Sequence, residues 1–178
     1  MSDDILDKAA DAALALAADR PWRAVSLRDI AEKAEVAFAD LYARASSKTA
    51  LVFRLSRRLD RAALATAANA SDDIHDRLFD AAMARVEAME SQRAALVSMA
   101  RDENPAALAL HFPFTARAIL EAAGVTATPP RLIAMTAVWA RTVQVWRDDE
   151  GALNRTMAEI DKRLKQMRER LGRIGAGF

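Results

Sequence analysis

The sequence contains no cysteine and only two histidines among its 178 residues. Without cysteine there is neither a disulfide framework nor thiolate chemistry, and the composition fits a reducing compartment. His75 and His111 lie far apart along the chain, so they do not form a Glu-x-x-His pair or a similar ligand spacing. These absences argue against a disulfide scaffold, thiol catalysis and a zinc site.

Motifs of several enzyme classes are missing as well. All five glycines lie at or beyond Gly124, so the chain before them has no glycine-rich phosphate loop. No Gly-x-Ser-x-Gly nucleophile elbow occurs. The acidic cluster Asp148-Asp149-Glu150 is interpreted as a solvent-exposed turn rather than a metal site. We therefore predict that the protein is not an enzyme and uses neither a metal nor a cofactor.

Long apolar runs are also absent. No stretch approaches the roughly 20 apolar residues that span a bilayer. The first residues, Ser2-Asp3-Asp4, are acidic where a signal peptide would be basic. The net charge of +1 does not by itself point to a nucleic-acid or membrane partner. A cytoplasmic location is expected.

Helix-forming residues are abundant, by contrast. Hydrophobic residues make up 52% of the chain and many are alanine, which favours helix. Alternating strand patterns are nearly missing, so the fold class is predicted to be all-α. Apolar periodicity and capping signals place helices at about 4–18, 27–34, 38–43, 47–68, 74–89, 93–101, 105–123 (interrupted near Pro113), 129–146 and 153–171.

Residues 26–46 have the pattern of a helix-turn-helix. Ser26 and Asp29 are spaced as a capping box at the start of the first of two short helices. A tight break around Glu35 separates this helix from the next one. Apolar residues recur where the pair would face a small core, at Leu27, Ile30, Ala31, Val36 and Leu41.

The same stretch resembles the N-terminal domain of the TetR family of bacterial regulators. The resemblance lies in Val25-Ser26-Leu27-Arg28-Asp29-Ile30-Ala31, Val36, Leu41-Tyr42 and Ser47-Lys48-Thr49-Ala50-Leu51. It implies a TetR-like fold with a three-helix DNA-binding head at 1–50 and a larger helical body at 51–178. It also implies a ligand-responsive repressor that binds operator DNA as a homodimer and a small apolar ligand in the body.

The resemblance also implies which residues face the DNA. Ser26, Tyr42 and Lys48 would contact phosphates, which fixes the register on the duplex without reading sequence. The other residues predicted to face DNA are Arg28, Ala37 and Phe38.

The chain departs from the family at two places. Glu35 stands where the family usually has glycine in the turn, and it is strained if that position is left-handed. Ala37-Phe38-Ala39-Asp40 replaces the usual hydroxyl and polar reading residues. No basic side chain precedes Arg44 in the second helix.

A second resemblance supports an alternative function. Trp22, Leu78-Phe79-Asp80-Ala81 with Arg85, Val145-Trp146-Arg147-Asp148-Asp149, and Asp161-Lys162-Arg163-Leu164 are similar to stretches of the lipid-binding accessory proteins of ubiquinone biosynthesis. Those proteins share the TetR-type fold. The alternative is thus a lipid-binding protein in which the helix-turn-helix no longer reads DNA.

Both resemblances imply an apolar cavity in the body for a small apolar or lipid ligand. Flexible methionines and aromatic side chains suit such a site, although the same residues at helical spacing also form an ordinary core. The predicted lining residues are Met83, Met99, Phe112, Phe114, Met135 and Trp139.

The last predicted helix carries a heptad seam. Leu153, Met157, Ile160, Leu164, Met167 and Leu171 follow one another at spacings of three and four. The seam predicts packing against the preceding helix and a homodimer through the last two helices. A basic amphipathic helix can also lie on anionic lipid, so peripheral membrane contact is the alternative.

Overall fold

The computed structural model describes residues 2–69, 71–149 and 151–178, without the side chains of residues 2, 3, 68 and 69. Throughout these ranges the regular secondary structure is helical, which confirms the all-α prediction. The α-helices are α1 Ser2–Asp19, α2 Leu27–Lys33, α3 Phe38–Arg44, α4 Lys48–Ala65, α5 Ile74–Glu90, α6 Arg93–Asp102, α7 Pro105–Ala109, α8 Phe112–Ala122, α9 Pro129–Arg147 and α10 Asn154–Arg173.

Two predicted helices differ from the observed ones. Helix α4 ends at Ala65, and the chain continues in a 3₁₀ turn at Thr66–Asn69 instead of extending as α-helix to 68. The interruption near Pro113 separates two helices, α7 and α8. Pro113 lies in the first turn of α8, where the missing N–H costs no helical hydrogen bond.

The chain forms two compact units, described separately below. Unit 1 comprises residues 1–58 and 91–108, and unit 2 comprises 59–90 and 109–178. Helix α6 therefore belongs with the helix-turn-helix segment, although α5, the helix before it in the sequence, belongs to unit 2. The division into a DNA-binding head at 1–50 and a ligand-binding body at 51–178 is a division of function, and it stays a prediction.

Unit 1 is built around a small core of alanine, leucine and aromatic side chains. Alanine on the inner face of α1 lets the neighbouring helices approach closely, and Trp22 and Val25 are buried in the same core. Members of this core with the least exposure are Ala9, Ala10, Ala13, Trp22, Ile30, Leu41, Leu51, Leu55 and Met99.

Helix α6 is fastened to the segment that links α1 to α2. The Trp22 indole N–H donates to Glu103 Oε1 at 2.9 Å, and the backbone N–H of Arg23 donates to Asp102 Oδ2 at 2.8 Å. The Thr49 hydroxyl, at the start of α4, donates to the second oxygen of the Glu103 carboxylate at 2.9 Å. The end of α6 thus contacts the segment before α2 and the start of α4, which flank the helix-turn-helix in the sequence.

The turn between α2 and α3 is a Schellman motif. The Val36 N–H donates to the Ala31 carbonyl at 3.0 Å and the Glu35 N–H to the Glu32 carbonyl at 3.1 Å. Such a motif places the residue after the C-cap in the left-handed region, and Glu35 has φ 54° there. The strain expected from glutamate at the family's glycine position is therefore present.

Unit 2 contains a cycle of packed helices. Helix α5 packs on α8, α8 on α9, α9 on α10, and α10 on α5. Its interior holds a polar cluster: the Arg85 Nε–H and the Thr115 hydroxyl each donate to Asp60 Oδ1 at 2.8 Å. All three side chains are buried, and the Arg85 guanidinium lies 5.5 Å from the centroid of the Trp139 ring. The opposite charges of Arg85 and Asp60 stabilise each other, because these buried groups are not hydrated by bulk water.

The acidic turn before α10 corrects one expectation. Asp148 is exposed as predicted, but Asp149 is buried and accepts hydrogen bonds from the Thr156 N–H at 2.8 Å and the Thr156 hydroxyl at 2.7 Å. Asp149 therefore satisfies donors in the first turn of α10 and is not a solvated residue. Glu150, the third member of the predicted cluster, lies outside the described residues.

The heptad seam of α10 lies largely inside the chain. Ile160, Leu164, Met167 and Leu171 are buried, and α10 packs against both α9 and α5. Only Met157, at 41% exposure, is well exposed along the helical part of the seam. The packing on α9 was predicted, but a partner subunit is not needed to cover most of the seam. Lipid contact through this buried face would require α10 to leave its neighbours.

None of the helices in the described ranges is long and apolar enough to cross a membrane.

Replacing Glu35 with glycine should stabilise the protein. A non-glycine residue in the left-handed region destabilises the folded state by about 1–2 kcal/mol. Glycine removes this strain but loses more conformational entropy on folding, which offsets the gain by about 0.5–1 kcal/mol. We expect Glu35→Gly to raise the free energy of unfolding by about 0.5–1 kcal/mol, measured by urea denaturation. Glu32→Gly is the control, because Glu32 is exposed in helical α2 and glycine there should destabilise by about 1 kcal/mol. Equal effects of the two variants would contradict the strain.

Removing the Asp60 carboxylate should strongly destabilise unit 2. Asp60→Ala leaves the buried Arg85 without its counter-charge, which costs about 3–5 kcal/mol. Asp11→Ala removes the partner of Arg58 in an exposed pair and should cost at most about 1 kcal/mol. Urea denaturation of both variants measures the difference. A loss of less than 1 kcal/mol for Asp60→Ala would show that the cluster does not hold the core.

Candidate nucleic-acid interface

Helix α2 begins at a capping box that includes the first predicted phosphate contact. Ser26 Oγ accepts from the Asp29 N–H at 3.1 Å, and Asp29 Oδ2 accepts from the Ser26 N–H at 2.8 Å. The hydrogen bond from the Ser26 backbone is the main reason that the pKa of Asp29 is lowered, and Arg20 at 3.0 Å adds to it. Ser26 is exposed, and its hydroxyl oxygen accepts the hydrogen bond from Asp29. A hydroxyl group that accepts in this way also has an O–H that can donate.

Helix α3 is held by one buried residue and exposes the rest. Leu41 is completely buried in the unit 1 core and fixes the rotation of the helix about its axis. Ala39 and Ala43, four residues apart, lie on the exposed side. The outward face of α3 is therefore made of small side chains at its centre.

An aromatic patch lies along one flank of that face. Phe38 is 40% and Tyr42 52% exposed, with ring centroids 5.8 Å apart. The Arg28 guanidinium, from α2, lies 5.7 Å from the centroid of the Phe38 ring. The structure thus brings together three residues predicted to face DNA, in one exposed cluster of Arg28, Phe38 and Tyr42. Ala37, predicted with them, is exposed as the N-cap residue of α3.

An ion pair lies along the other flank. Arg44 Nη1 donates to the Asp40 carbonyl at 2.6 Å and is 3.6 Å from the Asp40 carboxylate. The basic side chain at the end of α3 is thus turned back onto its own helix. The spacing of four residues was visible in the sequence, and an i,i+4 pair of opposite charge is the signal that indicates it.

Lys48 occupies a different environment from the one its predicted role suggests. Its ammonium group donates to the Trp22 carbonyl at 2.7 Å and lies 4.6 Å from the centroid of the Trp22 ring. Lys48 is half-buried, and this burial lowers the pKa of its amino group. The contacts support the link between α1 and α2. A phosphate contact by Lys48 stays a prediction, and a Lys48 variant would perturb the scaffold as well as any DNA contact.

The predicted ligand-lining residues are not gathered in one compact unit. Met99 lies in the core of unit 1, because α6 packs on α1, and its contact with a ligand stays a prediction. Met83, Met135 and Trp139 are buried in unit 2, where Phe112 is half-buried. Phe114 is 60% exposed and does not line an interior. For the buried residues of unit 2, a ligand contact stays a prediction.

The polar cluster around Asp60 was not identified as a unit from the sequence. Arg85 was noticed only within a short motif, whereas Asp60 and Thr115 lie on other helices. A buried arginine in a helix indicates a buried acid, but sequence spacing cannot tell which acid. The structure places this cluster against Trp139, one of the predicted lining residues.

The family comparison concerns the helix-turn-helix segment. A family model described as "Bacterial regulatory proteins, tetR family" matches residues 10–55, which include most of α1, all of α2 and α3, and the start of α4. A comparison with curated proteins found no significant match.

The structural comparison concerns nearly the whole chain. The chain is similar to the crystal structure of a TetR transcriptional regulator from Rhodococcus sp. RHA1, with a TM-score of 0.75 and 17% sequence identity. The match covers 93% of this chain and 96% of the other. At this identity the likeness establishes the fold. Residues 10–55 therefore match the family model of TetR regulators, within a chain that has the fold of a solved TetR regulator.

Proposed function

We propose that this protein is a DNA-binding transcriptional regulator, a ligand-responsive repressor that acts as a homodimer. The observation that carries the proposal is the exposed outward face of α3, presented by a capped helix-turn-helix whose segment matches the TetR family. The second helix of such a motif enters the major groove while the first crosses the backbone. On this proposal the protein is not an enzyme and works in the cytoplasm.

The head carries groups suited to phosphate as well as a reading face. The Arg28 guanidinium, the Tyr42 hydroxyl and the Ser26 hydroxyl are all on exposed residues. Hydroxyl and guanidinium donors to phosphate fix the register of a protein on the duplex. Binding should accordingly depend on salt, because each neutralised phosphate releases counterions.

Two observations support a homodimer through α9 and α10. Ile133 on α9 is 71% exposed, which is unusual for a branched apolar side chain, and Ala137 one turn further is exposed too. A shallow groove beside them is lined by residues of both helices, among them Ala134, Ala137, Val138 and Met167. The α9 side of the groove is small and apolar, while α10 contributes Arg163, Gln166 and Arg170 beside the buried Met167. An apolar centre with a polar border suits a second copy of the same helix pair.

A small apolar ligand in unit 2 completes the proposed mechanism. Met83, Met135 and Trp139 supply the flexible and aromatic surface that such a ligand needs, and Arg85 beside Trp139 could orient a polar end. A ligand that binds more tightly to one conformation than to another would shift the population of DNA-binding dimers.

The lipid-binding alternative is not favoured by the comparisons. The family model and the similar solved structure are both of TetR regulators, not of ubiquinone-biosynthesis proteins. Peripheral membrane contact through α10 has no support in the packing of that helix, since Ile160, Leu164, Met167 and Leu171 are buried.

Arg28 offers a direct test of DNA binding. Arg28→Ala should weaken binding to DNA from the protein's own upstream region, whatever its base sequence, and reduce the salt slope of the dimer by about 2, because one phosphate contact is lost in each subunit. Fluorescence anisotropy over a series of salt concentrations measures both effects. Arg28 is exposed, so the variant should fold normally.

Arg117→Ala is the matched control for Arg28→Ala. It removes the same charge from an exposed position of α8, in unit 2, and should leave affinity and salt slope unchanged. Binding that does not respond to salt in the wild type would contradict the regulator proposal. Isoprenoid or phospholipid extracted from such a protein would favour the lipid-binding alternative.

Ile133 offers the corresponding test of the dimer. Ile133→Glu would bury a carboxylate without a partner at the proposed interface and should convert the dimer to a monomer at micromolar concentration. Sedimentation velocity measures the change. Leu110→Glu is the control, since Leu110 is 67% exposed but lies outside α9 and α10. A dimer that survives Ile133→Glu would rule out this face.

A further inference from the structure

The outward face of α3 offers DNA an unusual chemistry. Specific reading in the major groove most often uses arginine or lysine on guanine, or asparagine or glutamine on adenine. The face of α3 holds none of these in a position to read: its centre is Ala39 and Ala43, and its aromatic flank is Phe38 and Tyr42. Its contact with base edges must therefore be mostly apolar.

The one basic residue of α3 does not change this conclusion. Arg44 donates to the carbonyl of Asp40 and is paired with the Asp40 carboxylate. To contact the two acceptors of a guanine, the guanidinium would have to give up both interactions. Asp40 accepts hydrogen bonds and does not donate them, so it is unsuited to the acceptors of guanine. Reading a cytosine amino group would take its carboxylate away from Arg44, 3.6 Å away on the flank opposite Phe38 and Tyr42.

The major groove contains one apolar group for such a face to contact. The C5 methyl of thymine projects into it, and alanine and phenylalanine are side chains that pack against this methyl. Alanine at the centre of α3 lets the helix backbone come close to the base edges. The Arg28 guanidinium lies 5.7 Å from the centroid of the partly exposed Phe38 ring.

We propose that α3 selects thymine-containing half-sites by apolar contact with thymine methyl groups, through Phe38, Ala39 and Ala43. This rests on the proposed DNA-binding function and names the chemistry that the site recognises.

The test uses wild-type protein and the duplex it selects from a random library. Each thymine of that duplex is replaced in turn by deoxyuridine, which removes the methyl and keeps the base pairing. Burying one methyl group is worth roughly a three- to five-fold change in affinity. We expect a loss of that size at thymines within each half-site, measured by fluorescence anisotropy at fixed salt, and no loss outside the half-sites.

Two variants locate the effect. Phe38→Ala, whose side chain is too short to reach the methyl that the ring contacts, should bind the thymine and uracil duplexes with a ratio of dissociation constants of about 1 at that position. Lys33→Ala, which removes an exposed charge from α2, should leave that ratio as in the wild type. Circular dichroism checks that both variants are folded. A Phe38→Ala protein that keeps the wild-type ratio would overturn the assignment of Phe38.

The failure of this inference can be told apart from the failure of the proposed function. Salt-sensitive binding to a selected duplex that does not respond to uracil anywhere would overturn the methyl contacts and leave the regulator proposal standing. A library from which no sequence is enriched, with no salt-sensitive binding to any duplex, would overturn both.

Discussion

The burial of Trp22 is the interaction on which the helix-turn-helix unit depends. Its ring fills the gap where α1 ends and α2 has not begun, and its indole N–H reaches the carboxylate of Glu103. Its carbonyl accepts from the half-buried ammonium of Lys48, which lies over the same ring. Trp22 thus links the α1–α2 connection to the start of α4 and to the end of α6, through its side chain and its backbone carbonyl.

The unit combines a hydrogen-bonded scaffold with an exposed α3 face made mostly of alanine and aromatic side chains. Hydrogen-bonded caps and a buried leucine fix α2 and α3, so α3 does not need polar side chains to hold its place. The cost of this scaffold is concentrated in the turn, where Glu35 adopts a left-handed conformation to complete two backbone hydrogen bonds. The fold is maintained because two paired backbone donors outweigh about 1–2 kcal/mol of local strain.

Most of the fold could be predicted from local sequence signals. Capping residues, prolines and apolar periodicity placed the helices within a few residues, and the Ser26–Asp29 spacing predicted the capping box that the structure contains. Long-range packing could not be predicted in the same way. That Met99 belongs with Trp22, or Arg85 with Asp60, depends on which helices meet, and no local pattern encodes this. For the interface, exposure of Phe38 and Tyr42 could be inferred, but the hydrogen bond from Lys48 to Trp22 could not.

The helix-turn-helix unit is not continuous along the chain. Its core includes Ala95 and Met99 from α6, which the chain reaches only after passing through α5. The family match ends at residue 55 and therefore does not include the α6 residues that complete this core. A gene fusion or recombination event that moved only the first 55 codons would therefore transfer a recognisable motif without the helix that completes its interior. Inheritance of this helix-turn-helix unit is tied to inheritance of the chain that follows it.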